Sequence, residues 1–238
     1  SLSSLIARLG VRTLFCVYGN NLVLQPFSRF NTMLGPWIED RGFLPEEFMG
    51  LCAEGRFDPR EITVASSTTL AGILNAKKLR AKSLLKNLNG LSDWLGHAYA
   101  SAKDEIMVRD FDNTIGKCIR ALNRSQMGKV EEYLTELLQT DMEPVRLEGG
   151  VFWQPPASKR SEGSWRPEHE WVDVLREKLE ALQSFPGDYR EVSKKDRELR
   201  KYLETVDLLI VDEVHLAGGA GIQKITKACP AFYRCGVS

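Results

Sequence analysis

The sequence predicts an α/β fold, a parallel and doubly wound sheet with flanking helices, interrupted by a large helical insertion. Three observations predict it. Short apolar runs alternate with helical patterns over residues 1–70, as in βα units whose strands are covered on both faces. Helical periodicity alone then fills residues 71–205. From Val206 the alternation returns with Leu208-Leu209-Ile210-Val211, an apolar strand running into Asp212-Glu213. The expected organisation is therefore a first sheet segment at 1–70, a helical insertion at 71–205 and a second sheet segment at 206–238.

Each element has a local reason. Leu2 to Leu9 carries the apolar spacing of an amphipathic helix and Gly10 stops it. Thr13 to Val17 is a short buried strand, and residues 20–34 return as a helix with Leu22, Val23, Phe27, Phe30 and Leu34 at helical spacing. Met49 to Cys52 reads as a strand, the stretch from Gly55 to Arg60 as a turn, and Ile62 to Ala65 as the next strand. In the helical region Leu84, Leu88, Leu91 and Leu95 share a face, as do Ile115, Ile119 and Leu122, then Val130, Leu134 and Leu137, then Trp171, Leu175, Leu179 and Leu182. Gly149 to Pro167 is Gly/Pro/Ser-rich and reads as a loop or a partly disordered stretch. Pro186-Gly187-Asp188 reads as a second break, before a charged helix from Lys194 to Thr205. A Gly-rich turn at Gly218-Gly219, a helix from Ile222 to Ala228 and a strand from Phe232 to Val237 complete the pattern.

Composition sets bounds. At 238 residues, 43% hydrophobic and 27% charged, the chain can bury a core and has the profile of an ordinary globular protein. Lys plus Arg, at 32, equals Asp plus Glu, at 32, so any affinity for nucleic acid must come from a local patch. The five cysteines are scattered and mostly flanked by apolar residues, as reduced core thiols are. No C-x-x-C spacing outlines a zinc site. No apolar run approaches the ~20 residues of a membrane span, and no secretory leader is visible. The expected setting is intracellular, cytoplasmic or nucleoid-associated, with no membrane partner.

The strand end Asp212-Glu213-Val214-His215 is the strongest chemical signal. Open α/β sheets bind ligands at the carboxyl ends of their strands. One acid there can hold a magnesium ion while its neighbour orients a water for in-line attack on a phosphate. A bare acid pair is more often a solvated strand end, so the surroundings decide the reading.

Those surroundings carry a resemblance. The run Val211-Asp212-Glu213-Val214-His215, followed by a helix and Tyr233-Arg234-Cys235-Gly236-Val237-Ser238, resembles the Walker B region of superfamily 2 helicases of the DEAD/DEAH type. Upstream, Thr13-Leu14-Phe15-Cys16-Val17-Tyr18-Gly19-Asn20-Asn21-Leu22-Val23-Leu24-Gln25 is similar to that family's motif Ia. Ile62-Thr63-Val64-Ala65-Ser66-Ser67-Thr68-Thr69-Leu70 resembles the conserved segment that follows. The matches are in family order, span less than half of the chain and leave residues 71–205 outside.

The resemblance implies a RecA-like ATPase domain that works with Mg²⁺ and ATP and closes against a second RecA-like domain. It implies that Asp212 helps hold magnesium, that Glu213 positions the attacking water, and that His215 links the nucleotide site to the nucleic acid. It further implies backbone contacts to DNA or RNA through Gly19, Asn20, Ser66 and Thr69, groups of the hydroxyl, amide and helix-end kind that phosphates accept. Two positions depart from the pattern: Tyr18 stands where the family has Pro, and Asn20 where it has Arg or Lys.

No G-x-x-x-x-G-K-[ST] phosphate loop occurs in the sequence. In the family, Ser1 would fall at or just past the Walker A Ser/Thr, and Gly236-Val237-Ser238 would open the G-L-S-A-T segment. The expectation is an interior fragment that supplies half of a nucleotide site and is inactive alone. Two other readings stay open: an ATPase-dead module that binds protein or nucleic acid through its helical region, and a different P-loop motor such as a viral packaging ATPase. In the helical region Lys78, Lys82 and Lys86 share a face that reads as solvated more readily than as a phosphate track. Trp153, Trp165 and Trp171 read as helix or loop residues more readily than as base-stacking platforms.

Overall fold

The computed structural model of the chain describes residues 1–98, 106–138, 143–147, 150–154, 177–213 and 219–237. These fall into two compact units, Ser1–Lys77 with Glu191–Ser238, and Lys78–Arg190. The fold is mixed α/β.

The first unit holds a six-stranded sheet. Its elements begin with α1 (Leu2–Leu9), β1 (Thr13–Val17), α2 (Leu24–Glu39), α3 (Pro45–Phe48), β2 (Met49–Ala53), β3 (Arg56–Asp58), β4 (Ile62–Ser66) and the start of α4 (Ser67–Ala98). After the end of α8 (Phe185–Glu204) come β7 (Leu208–Val211), α9 (Ala220–Ala228) and β8 (Tyr233–Gly236). The strand order is β3-β2-β4-β1-β7-β8. All pairs are parallel except β2 with β3.

Every residue of β1, β2, β4 and β7 is buried, because helices cover both faces of the sheet. The two-residue repeat of a strand sends Phe15 and Val17 into one core, with Ile6, Phe30, Leu34 and Ile38 of α1 and α2. It sends Leu14 and Cys16 into the other, with Leu70, Leu199, Leu203, Ile222 and Ile225 of α4, α8 and α9. Each fully buried Leu or Ile contributes about 2 kcal/mol by removal from water. Gly10 closes α1 in the left-handed conformation at φ 62°, its N–H donating to the Ile6 carbonyl.

The second unit is built on the rest of α4, α5 (Ile106–Asn123), α6 (Met127–Leu138), the strands β5 (Glu143–Leu147) and β6 (Gly150–Gln154), and α7, described over 177–183. Leu84, Leu88, Leu91 and Leu95 pack with Ile115, Leu122, Val130, Leu134, Leu137 and Leu182 in one core. The periodic leucines thus face inward, and Lys78, Lys82 and Lys86 are exposed.

Several expectations are corrected. The helix placed at residues 20–34 runs over Leu24–Glu39, and Leu22 lies outside it, half exposed. The turn expected from Gly55 to Arg60 contains β3, an antiparallel edge strand on β2, so the sheet is not wholly parallel. The region from 71 to 205 is not purely helical, since β5 and β6 pair antiparallel with Leu147 opposite Gly150. Within the loop expected at 149–167, Gly150–Gln154 is the strand β6. The break at Pro186-Gly187-Asp188 is the first turn of α8, where proline's missing N–H costs nothing and an acid favours the helix dipole. Trp165, Trp171 and Leu175 lie outside the described residues. No described helix is long and apolar enough to cross a membrane.

Candidate functional site

The parallel register brings the described candidate residues to one edge of the sheet. Val17 of β1 lies opposite Ser66 of β4, Cys16 opposite Val211 of β7, and Val211 opposite Gly236 of β8. The segments that follow these strands, Tyr18 to Asn20, Ser67 to Thr69, Asp212-Glu213 and Val237, consequently leave the sheet side by side. Backbone hydrogen bonds extend the ladder one step further. The Asp212 N–H donates to the Cys16 carbonyl at 2.8 Å, and the Val237 N–H to the Val211 carbonyl at 3.0 Å.

The opposite, amino edge is closed by structural pairing. Arg12, just before β1, forms an ion pair and hydrogen bonds with Glu61, just before β4, and donates to the Thr205 hydroxyl ahead of β7 at 2.8 Å. The hydrogen bond from its guanidinium to Glu61 raises the Arg12 pKa above its ordinary value. Arg12 and Glu61 thus satisfy one another there.

Asp212 is half-buried and lines a cavity of 340 Å³ with Ser1 and Ser3 at the head of α1, Gln25 and Arg29 on α2, and Val237. The size lies at the lower end of small-molecule sites. Magnesium is commonly held by one or two carboxylates, waters and substrate phosphates. A single carboxylate beside serine hydroxyls is a donor set that fits such an ion. No group of three or more His, Cys, Asp or Glu side chains suited to a metal occurs among the described residues. Glu213 is adjacent but is not among the lining residues. It adopts φ 53°, a conformation that costs a side-chain-bearing residue free energy and that concentrates at functional positions. His215 lies outside the described residues.

The second group sits around the β1–α2 and β4–α4 connections. The Thr69 hydroxyl donates to Asn20 Oδ1 at 3.0 Å, so these two candidate residues meet. Gly19 has φ 87°, which glycine adopts without strain. Ser66 is fully buried and its hydroxyl accepts from the Thr69 N–H at 3.4 Å, the geometry of a helix N-cap on α4. The exposed hydroxyl of this turn belongs to Thr68. None of Gly19, Asn20, Ser66 or Thr69 lines the Asp212 cavity.

Sequence reasoning left Ser3 and Arg29 without a role. Their signal is faint. Arg29 follows Gln25 by four residues, so both face the same way from α2, and nothing in the sequence aligns that face with the end of β7. All five cysteines are free thiols. Burial pushes Cys52 up to about 12 and Cys118 up to about 11, and raises Cys16 further.

No family model, curated protein or solved structure matches the chain.

Proposed function

We propose that this chain is part of an ATP-dependent nucleic-acid helicase or translocase, contributing a RecA-like sheet with the Walker B strand end and part of the nucleic-acid track. One observation carries the reading. Three segments far apart in sequence, each resembling a helicase motif, end at one edge of a parallel sheet on adjacent strands β4, β1 and β7. That edge is where open α/β sheets place their ligands.

On this reading Asp212 offers a carboxylate oxygen to a magnesium ion, and Glu213 orients the water that attacks the terminal phosphate. Magnesium, when bound with ATP, offsets negative charge on the phosphoryl oxygens. Asn20 and Thr69, held together by their hydrogen bond, present polar groups to a DNA or RNA backbone. His215 would join the two sites. Closure against a second RecA-like domain would be driven by nucleotide binding and reset by hydrolysis.

The test is Glu213→Gln in the full-length protein. Hydrolysis is expected to fall by at least about 100-fold, the scale on which acid–base groups contribute, with ATP binding retained. Unchanged turnover would remove the assignment. A second reading, an ATPase-dead binding module, draws on the separate core of the Lys78–Arg190 unit. It requires that partner binding survive both Glu213→Gln and Asp212→Asn.

A further inference from the structure

Arg29 and Asp212 line the same 340 Å³ cavity, yet among the described residues neither has a salt-bridge partner. Opposite charges that meet at a protein surface attract one another. Here the two charges instead face a common space from different elements, α2 and the end of β7, with the apolar Phe30 and Met33 along the wall.

That arrangement suits a ligand with a cation at one end and an anion at the other. Asp212 is a hard oxygen donor for a divalent cation. The guanidinium fork matches phosphate oxygens two at a time. Gln25, one turn before Arg29 on the exposed side of α2, adds an amide. Ser3 adds a hydroxyl whose present acceptor is the Met33 thioether at 3.4 Å. A thioether is a weak acceptor, so this hydroxyl is easily redirected to an oxygen.

We propose that Arg29 is a phosphate-binding residue, and that the cavity takes a magnesium-bound pyrophosphate group with the metal at Asp212 and a phosphate at Arg29. The proposal rests on the nucleotide reading of the strand end and adds a cation from α2 to it. The metal would partner the Asp212 carboxylate and the phosphate oxygens the Arg29 guanidinium, so each charge gains a counter-charge from the ligand.

The experiment is a ³¹P NMR titration of the 238-residue chain with inorganic pyrophosphate, with and without magnesium. Magnesium-dependent binding is expected for the unaltered chain. It should weaken about tenfold or more in Arg29→Ala, as for loss of a hydrogen bond to a charged group, and less in Arg29→Lys. Arg29 is exposed, so thermal melting of the variants should match the parent. Coincident curves for Arg29→Ala and the parent would overturn the proposal, as would absence of magnesium-dependent binding in the parent. Asp212→Asn separates the two ideas. If it abolishes the magnesium dependence while Arg29→Ala changes nothing, Arg29 is discarded and the nucleotide reading stands. If Asp212→Asn binds like the parent, the reading of the strand end fails with it.

Discussion

Asp196 of α8 is almost wholly buried and receives Lys77 of α4 at 2.8 Å, with Arg200 one turn further along α8 at 3.1 Å. A carboxylate without water needs both cations, whereas the cations are themselves partly exposed. Replacing Lys77 and Arg200 together by Ala is therefore expected to cost about 3 kcal/mol or more, the scale for stranding a buried charge. Asp196→Asn should cost less, because the freed cations reach solvent. Denaturant melts of the two variants compare them directly, and the opposite ranking would refute the account.

Glu213→Gly should raise stability by roughly 0.5–1 kcal/mol. At φ 53° a glycine removes the steric cost of a Cβ, and at most positions the same change destabilises. A higher melting midpoint combined with loss of ATP turnover in the full-length protein would mark this residue as kept for chemistry at the expense of the fold.

Asn20→Arg restores a cation where the resembled family carries one. Nucleic-acid affinity is expected to rise, and the slope of log affinity against log salt to steepen by about 1, as for one added phosphate contact. Fluorescence anisotropy at several salt concentrations measures both. An affinity gain with no change in slope would mean that the new side chain is not on a phosphate.

The thiols predict an alkaline limit to stability. Burial raises the folded-state pKa of Cys118 to about 11 and of Cys52 to about 12. An unfolded thiol ionises near about 8.5. Below that value neither state is ionised and the stability is whole. As pH rises from there toward about 11, the unfolded chain releases protons that the folded chain keeps, and stability falls. Urea midpoints at pH 7.5 and pH 9.5 should differ in that sense, and the difference should shrink in Cys118→Ala.

Leu88 is fully buried in the core of the second unit, and Leu88→Ala should cost about 2–5 kcal/mol. Hydrogen exchange reports where the loss falls: faster exchange is expected in α5 and α6, which share that core.

The sheet strands were readable because burial on both faces leaves continuous apolar runs, as in Thr13–Val17, Ile62–Ser66 and Leu208–Val211. The helix of Leu2–Leu9 was readable because its apolar spacing and its terminating Gly10 agree. Arg56–Asp58 was not, since an edge strand of three partly exposed residues has polar composition and takes its structure from pairing with β2. β5 reads as part of the helical region and β6 as part of the Gly/Pro/Ser-rich loop, because Pro144 interrupts the strand pattern of the first and Gly149-Gly150 opens the second. Pro186 misled for a related reason, being a breaker inside a helix and harmless in its first turn. At the candidate site, Asp212 and Asn20 stood out through local motifs. Arg29 did not, because a cavity joins side chains that only the sheet topology brings together.

β1 is hydrogen-bonded to β4 on one side and β7 on the other. Its last residues carry two fastenings: the Cys16 carbonyl takes the Asp212 N–H, and Asn20, shortly beyond, takes the Thr69 hydroxyl. A movement at the end of β7 therefore has a very short mechanical route to the first turn of α4, through a single stretch of backbone from Cys16 to Asn20. Strand spacing of ~4.8 Å puts the two fastened ends only about 10 Å apart. In this sheet the end of β7 and the first turn of α4 are thus coupled across a single intervening strand.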